Sequence, residues 1–499
     1  MSVKPVALAV VAALAVYGFV NDAGAQTRTP AFAPGELIVG YGSQNDRDQA
    51  LKELNSSKDN VSVRGERAGN VEYQAVGGRS LKLRMDLPVR MRGQTDQQPG
   101  LELQVLKETA EQLKARDKRI KYAHPNWILG INPVPPREPI DVTSLDKMLF
   151  TSSTGSGDPN DYAYVRGLHW HYAALPMGMN AIGAWKTETG SKDIVVAVVD
   201  TGILPNHPDI QGSGNLLPGY NFVSEGKGRN ADPTDPGDAC GRVASSWHGS
   251  HVAGTIGAVG SNNGRGITGI NWSVSVLPVR VMGYCGRGTI ADIADGVRWA
   301  AGLPVDGVPP DRVNKHPADV INLSVGAPQP CREEQMGVLI DALDAAHTAG
   351  SVVVVAAGND TMNIADAYPA GCKGVVSVAA SDKQGHLAWY SNYGNVTVMA
   401  PGGDTRNKDD SGYQPGVWST VEVSSINPQG IEPMQGTSMA APHVSGAIAL
   451  ALAKHADWRH KPDLIIQKLK ELAVPVANGA CSQPCGPGQL DAEKLVESR

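Results

Sequence analysis

The feature that most constrains the fold is a series of six short runs dominated by valine and other aliphatic residues. They cover residues 194–199, 276–281, 320–323, 352–355, 375–379 and 396–399. Such runs are typical of parallel strands that are buried on both faces. Helix-like segments, for example 291–301 and 336–349, separate several of them. The alternation predicts an α/β fold, a doubly wound parallel sheet with helices on both faces, from about residue 161 onward.

A smaller α+β unit is predicted ahead of this body. Residues 36–40 read as a strand, and apolar residues recur at helical spacing over 103–113. A further strand is predicted over 120–126, where we expect Pro125 to end it. Residues 133–160 are rich in proline, serine and glycine, which indicates an exposed and cleavable linker.

The N-terminus has the pattern of a secretory signal. Lys4 supplies the positive charge, residues 6–20 form an apolar stretch, and Ala23-Gly24-Ala25 fits the small-residue cleavage rule. We therefore predict that residues 1–25 are a signal peptide and that the chain is exported, with no membrane attachment after cleavage. An uncleaved N-terminal anchor is the alternative interpretation.

Six cysteines bear on how such an exported chain is held together. An even number points to disulfides, although six cysteines allow many different pairings. We favour pairing in chain order: Cys240 with Cys285, Cys331 with Cys372, and Cys481 with Cys485. A zinc site is the competing interpretation, but no CxxC pair or nearby histidine spacing supports it.

Charge is divided unevenly along the chain, whose formal net charge is −6. Residues 26–130 carry 17 Lys and Arg against 13 Asp and Glu, whereas residues 131–499 carry 26 against 36. A basic leader next to an acidic body predicts attraction between the two. The body has no basic patch with interleaved aromatic residues, so we expect no nucleic-acid partner.

Four polar residues stand out by their place beside the predicted elements. Asp200 directly follows the run at 194–199, so it lies at the carboxyl end of a strand, where active sites of such sheets gather. His248 begins a segment of small residues that suits a helix packed on the sheet, and Asn359 follows another predicted strand. Ser438 lies at the start of a predicted helix. Taken alone, each is more often a cap, a turn or a structural residue.

The helix that begins near Ser438 matters for chemistry. Gly436 permits a sharp turn into it, and we expect Pro442 in its first turn, where the missing N–H costs no hydrogen bond. The free N–H groups and positive dipole at a helix N-terminus favour negative charge that develops beside Ser438.

Three segments, in this order, resemble the signatures of the subtilisin family of serine peptidases, the subtilases. They are Val198-Val199-Asp200-Thr201-Gly202, His248-Gly249-Ser250-His251-Val252-Ala253-Gly254-Thr255 and Gly436-Thr437-Ser438-Met439-Ala440-Ala441-Pro442-His443. The resemblance covers about residue 161 to the C-terminus. It implies a subtilisin-like fold and a serine endopeptidase that hydrolyses peptide bonds through an acyl-enzyme.

The resemblance also assigns roles by position. Ser438 becomes the nucleophile, His248 the general base and acid, and Asp200 the residue that orients and stabilises the imidazole. The Ser438 N–H and the Asn359 side-chain amide become the oxyanion hole. His251 is expected to be a packed neighbour.

Substrate and inhibitor binding are implied in the same way. A protein or peptide substrate is expected to add a strand along Gly286-Arg287-Gly288, with Ser324-Val325-Gly326 and Ala357-Gly358 as walls of the specificity pocket. Residues 26–132 resemble the family's propeptide, which assists folding and inhibits until it is cleaved. An unrelated N-terminal binding domain is the alternative. The implied protein is an autoprocessed zymogen, extracellular and monomeric, with residues 161–499 as its peptidase domain.

Structural calcium is the cofactor that the resemblance implies. Asp209 is similar to a calcium ligand of the family. Asp161, and Val259, Asn263 and Ile267 of a loop that is slightly longer than the common version, are expected to complete the site.

A second acidic group is a weaker candidate for calcium. Asp232, Asp235 and Asp238 are close together in the sequence, ahead of Cys240. Carboxylates this near repel one another unless a cation binds or water screens them. We favour the interpretation of a solvated acidic loop.

Two rival functions remain. One is a subtilase-like protein that binds peptides without cleaving them, although the residues needed for cleavage are all present. The other is a metallopeptidase, for which the chain has no HExxH-type motif. An active-site-directed serine reagent separates the three, since the serine peptidase alone predicts stoichiometric labelling of Ser438.

Overall fold

The computed structural model describes residues 31–56, 61–88, 91, 99–131, 159–211, 215–226, 228–241, 244–258, 264–406, 412–424 and 430–498. The predicted signal peptide and almost all of the predicted linker lie outside the described residues. No helix within the described ranges is long and apolar enough to cross a membrane.

The leader is built on an antiparallel sheet whose strand order is β10-β6-β1-β5-β4, in which β10 (Arg287–Thr289) comes from the body. Buried residues of two helices pack on this sheet around their own apolar core. The strands are β1 (Phe32–Tyr41), β4 (Val71–Val76), β5 (Ser80–Met85) and β6 (Ile120–Gly130), with a small hairpin of β2 (Ser62–Val63) and β3 (Glu66–Arg67). The helices are α1 (Gln44–Ser56) and α2 (Pro99–Arg116).

Strand β6 does not end at Pro125, so that expectation is wrong. It continues to Gly130 because β1 pairs with it again after a shift in register and because β10 of the body pairs with it on the other side. The register with β1 shifts between Leu37, opposite Pro125, and Phe32, opposite Trp127. Ile128 to Gly130 pair with β10. The proline lacks an N–H, but it lies where the regular pairing with β1 is interrupted.

The body contains the predicted parallel sheet. Its seven strands lie in the order β14-β13-β12-β11-β7-β9-β8, and every pairing in it is parallel. They are β7 (Val195–Asp200), β8 (Tyr220–Asn221), β9 (Ser275–Arg280), β11 (Val320–Leu323), β12 (Val352–Ala356), β13 (Val375–Ser381) and β14 (Val398–Pro401). Strand β10 (Arg287–Thr289) and the antiparallel pair β15 (Val417–Thr420) and β16 (Ile431–Met434) lie outside this sheet.

The apolar runs are continuous because each strand supplies two cores. In β7, Val195, Ala197 and Val199 face one apolar core, and Val196 and Val198 face the other. A strand with one wet face would alternate apolar and polar residues instead.

Helices cover both faces of the sheet, as predicted for a doubly wound fold. On one face lie α7 (Ile290–Ala300) and α8 (Glu333–Thr348). On the other lie α6 (His248–Gly257), α9 (Thr437–Lys454), α10 (Pro462–Leu472) and α11 (Ala492–Glu497). Three short helices complete the body: α3 (Tyr162–Val165), α4 (Ala181–Trp185) and α5 (Pro208–Gln211).

Pro442 lies deeper in α9 than expected, at the sixth residue of the helix rather than in its first turn. A proline there removes the N–H that would bond to the carbonyl of Ser438, four residues earlier. That carbonyl accepts a hydrogen bond from Oγ of Ser324 instead, at 3.2 Å. The helix is therefore tied to the end of β11 beside Ser438.

The six cysteines form three disulfides with the pairing favoured from chain order. Cys240 bonds to Cys285, Cys331 to Cys372, and Cys481 to Cys485. Among the described residues no cysteine is free, so none is available to ligate zinc.

Candidate active site

Asp200 and His248 form a buried pair at the carboxyl end of β7. Asp200 is the last residue of that strand, and His248 is the first residue of α6. Nδ1 of His248 lies 2.8 Å and 3.0 Å from the two carboxylate oxygens of Asp200. Because a carboxylate only accepts, this nitrogen carries the proton. Burial by itself lowers the pKa of His248, but the charge and hydrogen bond of Asp200 outweigh it and raise the pKa above its ordinary value.

Ser438 is the second residue of α9, and its hydroxyl is not bonded to His248. Its Oγ lies 3.4 Å from the carbonyl oxygen of Ser324, which follows β11. Nε2 of His248 is buried and has no hydrogen-bond partner among the described residues. The Asp–His half of the expected hydrogen-bonded line is present, and the His–Ser half is not formed in this conformation.

Asn359 is held by the residue that precedes the serine. Its Oδ1 accepts hydrogen bonds from the N–H and the hydroxyl of Thr437, each at 2.9 Å. A Cβ built on Gly436 would lie 3.3 Å from Nδ2 of Asn359. The side-chain amide therefore lies beside the backbone that leads into Ser438, together with the N-terminus of α9.

The carboxyl end of the leader lies in a cleft next to these residues. Gly130 pairs with Arg287 of β10 on one side. On the other side it exchanges hydrogen bonds with Gly326, at N to O distances of 3.5 Å and 3.2 Å. The N–H of Ile131 then donates to the carbonyl of Gly286 at 3.0 Å. An extended segment of this chain thus occupies the space between the two edges expected to hold a peptide.

A cavity of about 230 Å³ adjoins this strand. Its lining joins the predicted pocket walls to Arg287 of the edge strand, to Asn359 and to Ser438; the walls are Ser324, Val325, Gly326, Ala357 and Gly358. At Gly288, a Cβ would come within 2.2 Å of the carbonyl oxygen of Val281. This close approach of backbone to backbone explains a glycine in the edge strand.

Two of the expected calcium ligands are buried and close enough to interact. Asp161 and Asp209 are almost inaccessible to solvent. Burial, and then the charge of Asp161, raise the pKa of Asp209 to about 7, against the hydrogen bond that it accepts from the N–H of Ile267. Val259 and Asn263 lie outside the described residues.

The second acidic group is only partly exposed to solvent. The described residues contain no group of three or more His, Cys, Asp or Glu side chains that could hold a metal. Asp232 is exposed, but Asp235 and Asp238 are buried, so the solvated interpretation is wrong for these two. The carboxylate of Asp235 accepts a hydrogen bond from the hydroxyl of Thr201, and that of Asp238 accepts one from the N–H of Ser246. The two carboxylates therefore have different hydrogen-bond donors.

The expected attraction between leader and body is present as ion pairs. Arg79 of the leader bonds to both carboxylate oxygens of Asp341 in α8, at 2.7 Å and 2.6 Å. The buried Arg47 of the leader pairs with Asp306 of the body. The basic leader is therefore held to an acidic surface by specific contacts as well as by net charge.

Comparison with known proteins identifies the family. The family model described as "Subtilase family" matches residues 191–488, which are more than half of the chain. This chain therefore belongs to the subtilase family. An extracellular protease of Xanthomonas campestris is 38% identical over an alignment of 374 positions that covers 72% of this chain and 59% of that protein. An extracellular basic protease of Dichelobacter nodosus is 35% identical over 76% of this chain and 61% of its own length. The chain therefore spans about three fifths of these two relatives.

A solved structure agrees with this assignment. It is described as proteases from Pseudoalteromonas arctica and is 43% identical, with a TM-score of 0.59. It covers 68% of this chain and 98% of its own chain.

Proposed function

We propose that this chain is the precursor of a secreted serine endopeptidase with Asp200, His248 and Ser438 as its catalytic triad. The observation that carries the proposal is the buried Asp200–His248 pair, in which Nε2 of His248 has no partner among the described residues. Ser438, in the first turn of a helix, lines the cleft that the end of the leader occupies. Membership of the subtilase family supports the same reading.

In the proposed reaction, Oγ of Ser438 attacks the scissile carbonyl while Nε2 of His248 removes its proton. The mechanism requires the hydroxyl to leave the Ser324 carbonyl and bond to His248. Catalytic hydrogen bonds are often long or misaligned before substrate is in place, so the present geometry is compatible with this step. The proton then passes from His248 to the leaving amine, and water hydrolyses the acyl-enzyme by the same route in reverse.

The negative oxygen of the tetrahedral intermediate needs donors that are already in place. The N–H groups at the start of α9 and the amide of Asn359 lie together, since Thr437 holds the opposite end of that amide. Donors fixed in this way stabilise developing charge without reorganisation during the reaction.

We also propose that residues 26–132 are an inhibitory propeptide, removed by the enzyme itself. Its closing strand lies between β10 and Gly326, in the orientation that an extended substrate would take. A substrate-like segment of the same chain blocks the cleft until it is cut. The first cut then falls beyond the propeptide, within residues 133–160 that are predicted to be a linker, and leaves residues 161–499 as the peptidase domain.

Calcium is proposed as a structural ion next to Asp161 and Asp209. Two buried carboxylates, one of which raises the pKa of the other, fit a hard cation, because a bound charge removes the repulsion between them. When bound, calcium would supply charge compensation and hold the segment at Asp161 against the loop at 264–267. It takes no part in the proposed chemistry.

Export to the extracellular space is part of the proposal. Two relatives are named extracellular proteases, and three disulfides suit an oxidising compartment. Proteins and peptides are the proposed substrates, with a monomer as the working form.

Expression of the full chain and of Ser438→Ala tests the proposal. The parent should release its leader and cleave a peptide substrate, and Ser438→Ala should remain uncut and inactive. N-terminal sequencing of the processed form locates the boundary. Equal processing of both proteins, or loss of all activity with a metal chelator at low temperature, would contradict a serine mechanism.

A further inference from the structure

Two buried carboxylates that the proposed mechanism does not use lie next to its histidine. We propose that Asp235 and Asp238 are positioning residues for the Asp200–His248 pair. Asp235 fixes the turn after Asp200 against the start of α6, and Asp238 fixes the segment that leads into His248. Both add negative charge beside the imidazole. This inference rests on the proposed function and assigns the loop at 232–247 a part in it.

Asp235 acts through Thr201, the residue after Asp200. Its Oδ2 accepts a hydrogen bond from the hydroxyl of Thr201 at 2.7 Å. The same hydroxyl accepts from the N–H of Gly249, the residue after His248, at 3.0 Å. The N–H of Thr201 donates to Oδ1 of Asp200 at 2.7 Å. One side chain therefore joins the backbones that carry the acid and the base, and Asp235 fixes the direction of its hydroxyl.

The loop around Asp235 is itself held by backbone contacts. The N–H of Asp235 donates to the carbonyl of Ile203 at 3.1 Å, and the N–H of Ile203 donates to the carbonyl of Pro233 at 3.2 Å. At Gly202, a Cβ would lie 2.6 Å from the Pro233 carbonyl oxygen. These backbone contacts hold the Asp235 carboxylate next to the hydroxyl of Thr201.

Asp238 holds the other approach to His248. Its Oδ1 accepts from the N–H of Ser246 at 2.6 Å and from the hydroxyl of Ser245 at 2.8 Å. Its Oδ2 accepts from the hydroxyl of Ser246 at 2.7 Å. Residue 247 follows with φ +52°, a conformation that a non-glycine residue keeps only when its surroundings impose it. Asp238 holds the two residues that precede this one, Ser245 and Ser246.

The charges around His248 come from several elements. Asp200 of β7 bonds to it directly, the charges of Asp235 and Asp238 of the loop help to raise its pKa, and its own charge lowers the pKa of His251 in α6. Arg280 at the end of β9 interacts with Asp235. The two loop carboxylates favour the protonated imidazole, whereas a protonated His251 would oppose it.

The test measures the pKa of His248 and the rate separately. In a Ser438→Ala background, the proton on Nδ1 of His248 is followed by NMR through a pH titration. Asp235→Asn and Asp238→Asn should each lower the pKa of His248, by about half a unit, because each removes a nearby negative charge. In the active enzyme, the acid limb of kcat/KM should move to lower pH by the same amount.

Thr201→Val tests the positioning role. It removes the hydroxyl that joins the two backbones, so the plateau of kcat/KM should fall by about tenfold to a hundredfold. Because the lost hydrogen bond also raises the pKa of Asp235, the acid limb should move toward lower pH, as in Asp235→Asn. Thr201→Ser restores the hydroxyl and should recover most of the rate. Rates are expressed per site labelled by a serine reagent, so that unfolded protein is not counted.

Asp232→Asn is the matched control, since it removes the same charge from the exposed end of the same loop. It should leave both the titration and the rate unchanged. The inference is overturned if Asp235→Asn and Asp238→Asn titrate like the parent, or if Thr201→Val keeps the full rate. Shifts in the NMR titration without any peptidase activity would reject the proposed function and leave the placement of the carboxylates supported.

Discussion

A buried group of histidines predicts that acid destabilises this protein steeply. His169, His171 and His443 lie together beneath the start of α9, and Nδ1 of His171 is 2.7 Å from Nε2 of His443. The ring of His169 packs against those of His171 and Tyr172. Neither ring nitrogen of His169 has a hydrogen-bond partner among the described residues. A proton on any of these rings would be a charge without water around it.

The size of the effect follows from His169. Burial, and then the charge of His443, lower the pKa of His169 to about 3. The folded protein therefore keeps this ring neutral, whereas the unfolded chain takes up a proton below a pKa of about 6.5. Stability from this residue is complete above pH 6.5 and is lost as the pH falls from there toward 3. At about pH 5 the loss is about 2 kcal/mol, a large part of the stability of a typical domain.

The variant His169→Phe keeps a ring in the same place and cannot be protonated. Urea unfolding is followed by tryptophan fluorescence in a Ser438→Ala background, which avoids self-digestion. Relative to the parent, the variant should gain about 2 kcal/mol more stability at about pH 5 than at about pH 8. The exposed His316, changed to glutamine, is the control and should follow the parent. An equal effect of His169→Phe at both pH values would show that His169 does not cause the loss of stability in acid.

Three further predictions concern the oxyanion donor, the leader and calcium. Asn359→Ala should lower kcat by about 10²–10³ with little change in KM, a range that comes from a subtilisin and so from a relative of this chain; steady-state kinetics on a peptide substrate measure it. Arg79→Ala removes a partly buried pair with Asp341, so the lag before peptidase activity appears should shorten by about fivefold, and less at high salt. A lag that does not change would argue against a docking role for this pair. Chelation of calcium should speed thermal inactivation of the parent, while Asp209→Asn should be heat-sensitive with or without the chelator.

The sheet of the body could be predicted from the sequence because burial of a strand on both faces requires a continuous run of apolar residues. The six apolar runs all became strands of one parallel sheet, with ends displaced by a few residues. The position of Asp200 at the carboxyl end of β7 was also predicted, because Asp200 directly follows the apolar run at 194–199. His251 is a packed neighbour as expected, and its Nε2 donates to the carbonyl of Val417.

What the sequence did not reveal depends on contacts between distant segments. Strand β6 continues past Pro125 because the body offers it a second partner, and no local signal contains that partner. Asp235 is buried because its loop packs on the turn after Asp200, although the acidic composition alone indicates a solvated surface. The role of Thr201 was also missed. It stands inside the first signature, and that position was the only signal that could have pointed to it.

The proposed catalytic triad requires a reactive hydroxyl on Ser438. Full-length protein that has released its leader is treated with an active-site-directed serine reagent, and the modified residue is located by mass spectrometry. We predict one label per processed molecule, on Ser438, and almost none in His248→Ala. Labelling of other serines to the same extent, or undiminished labelling of Ser438 in His248→Ala, would contradict the catalytic triad.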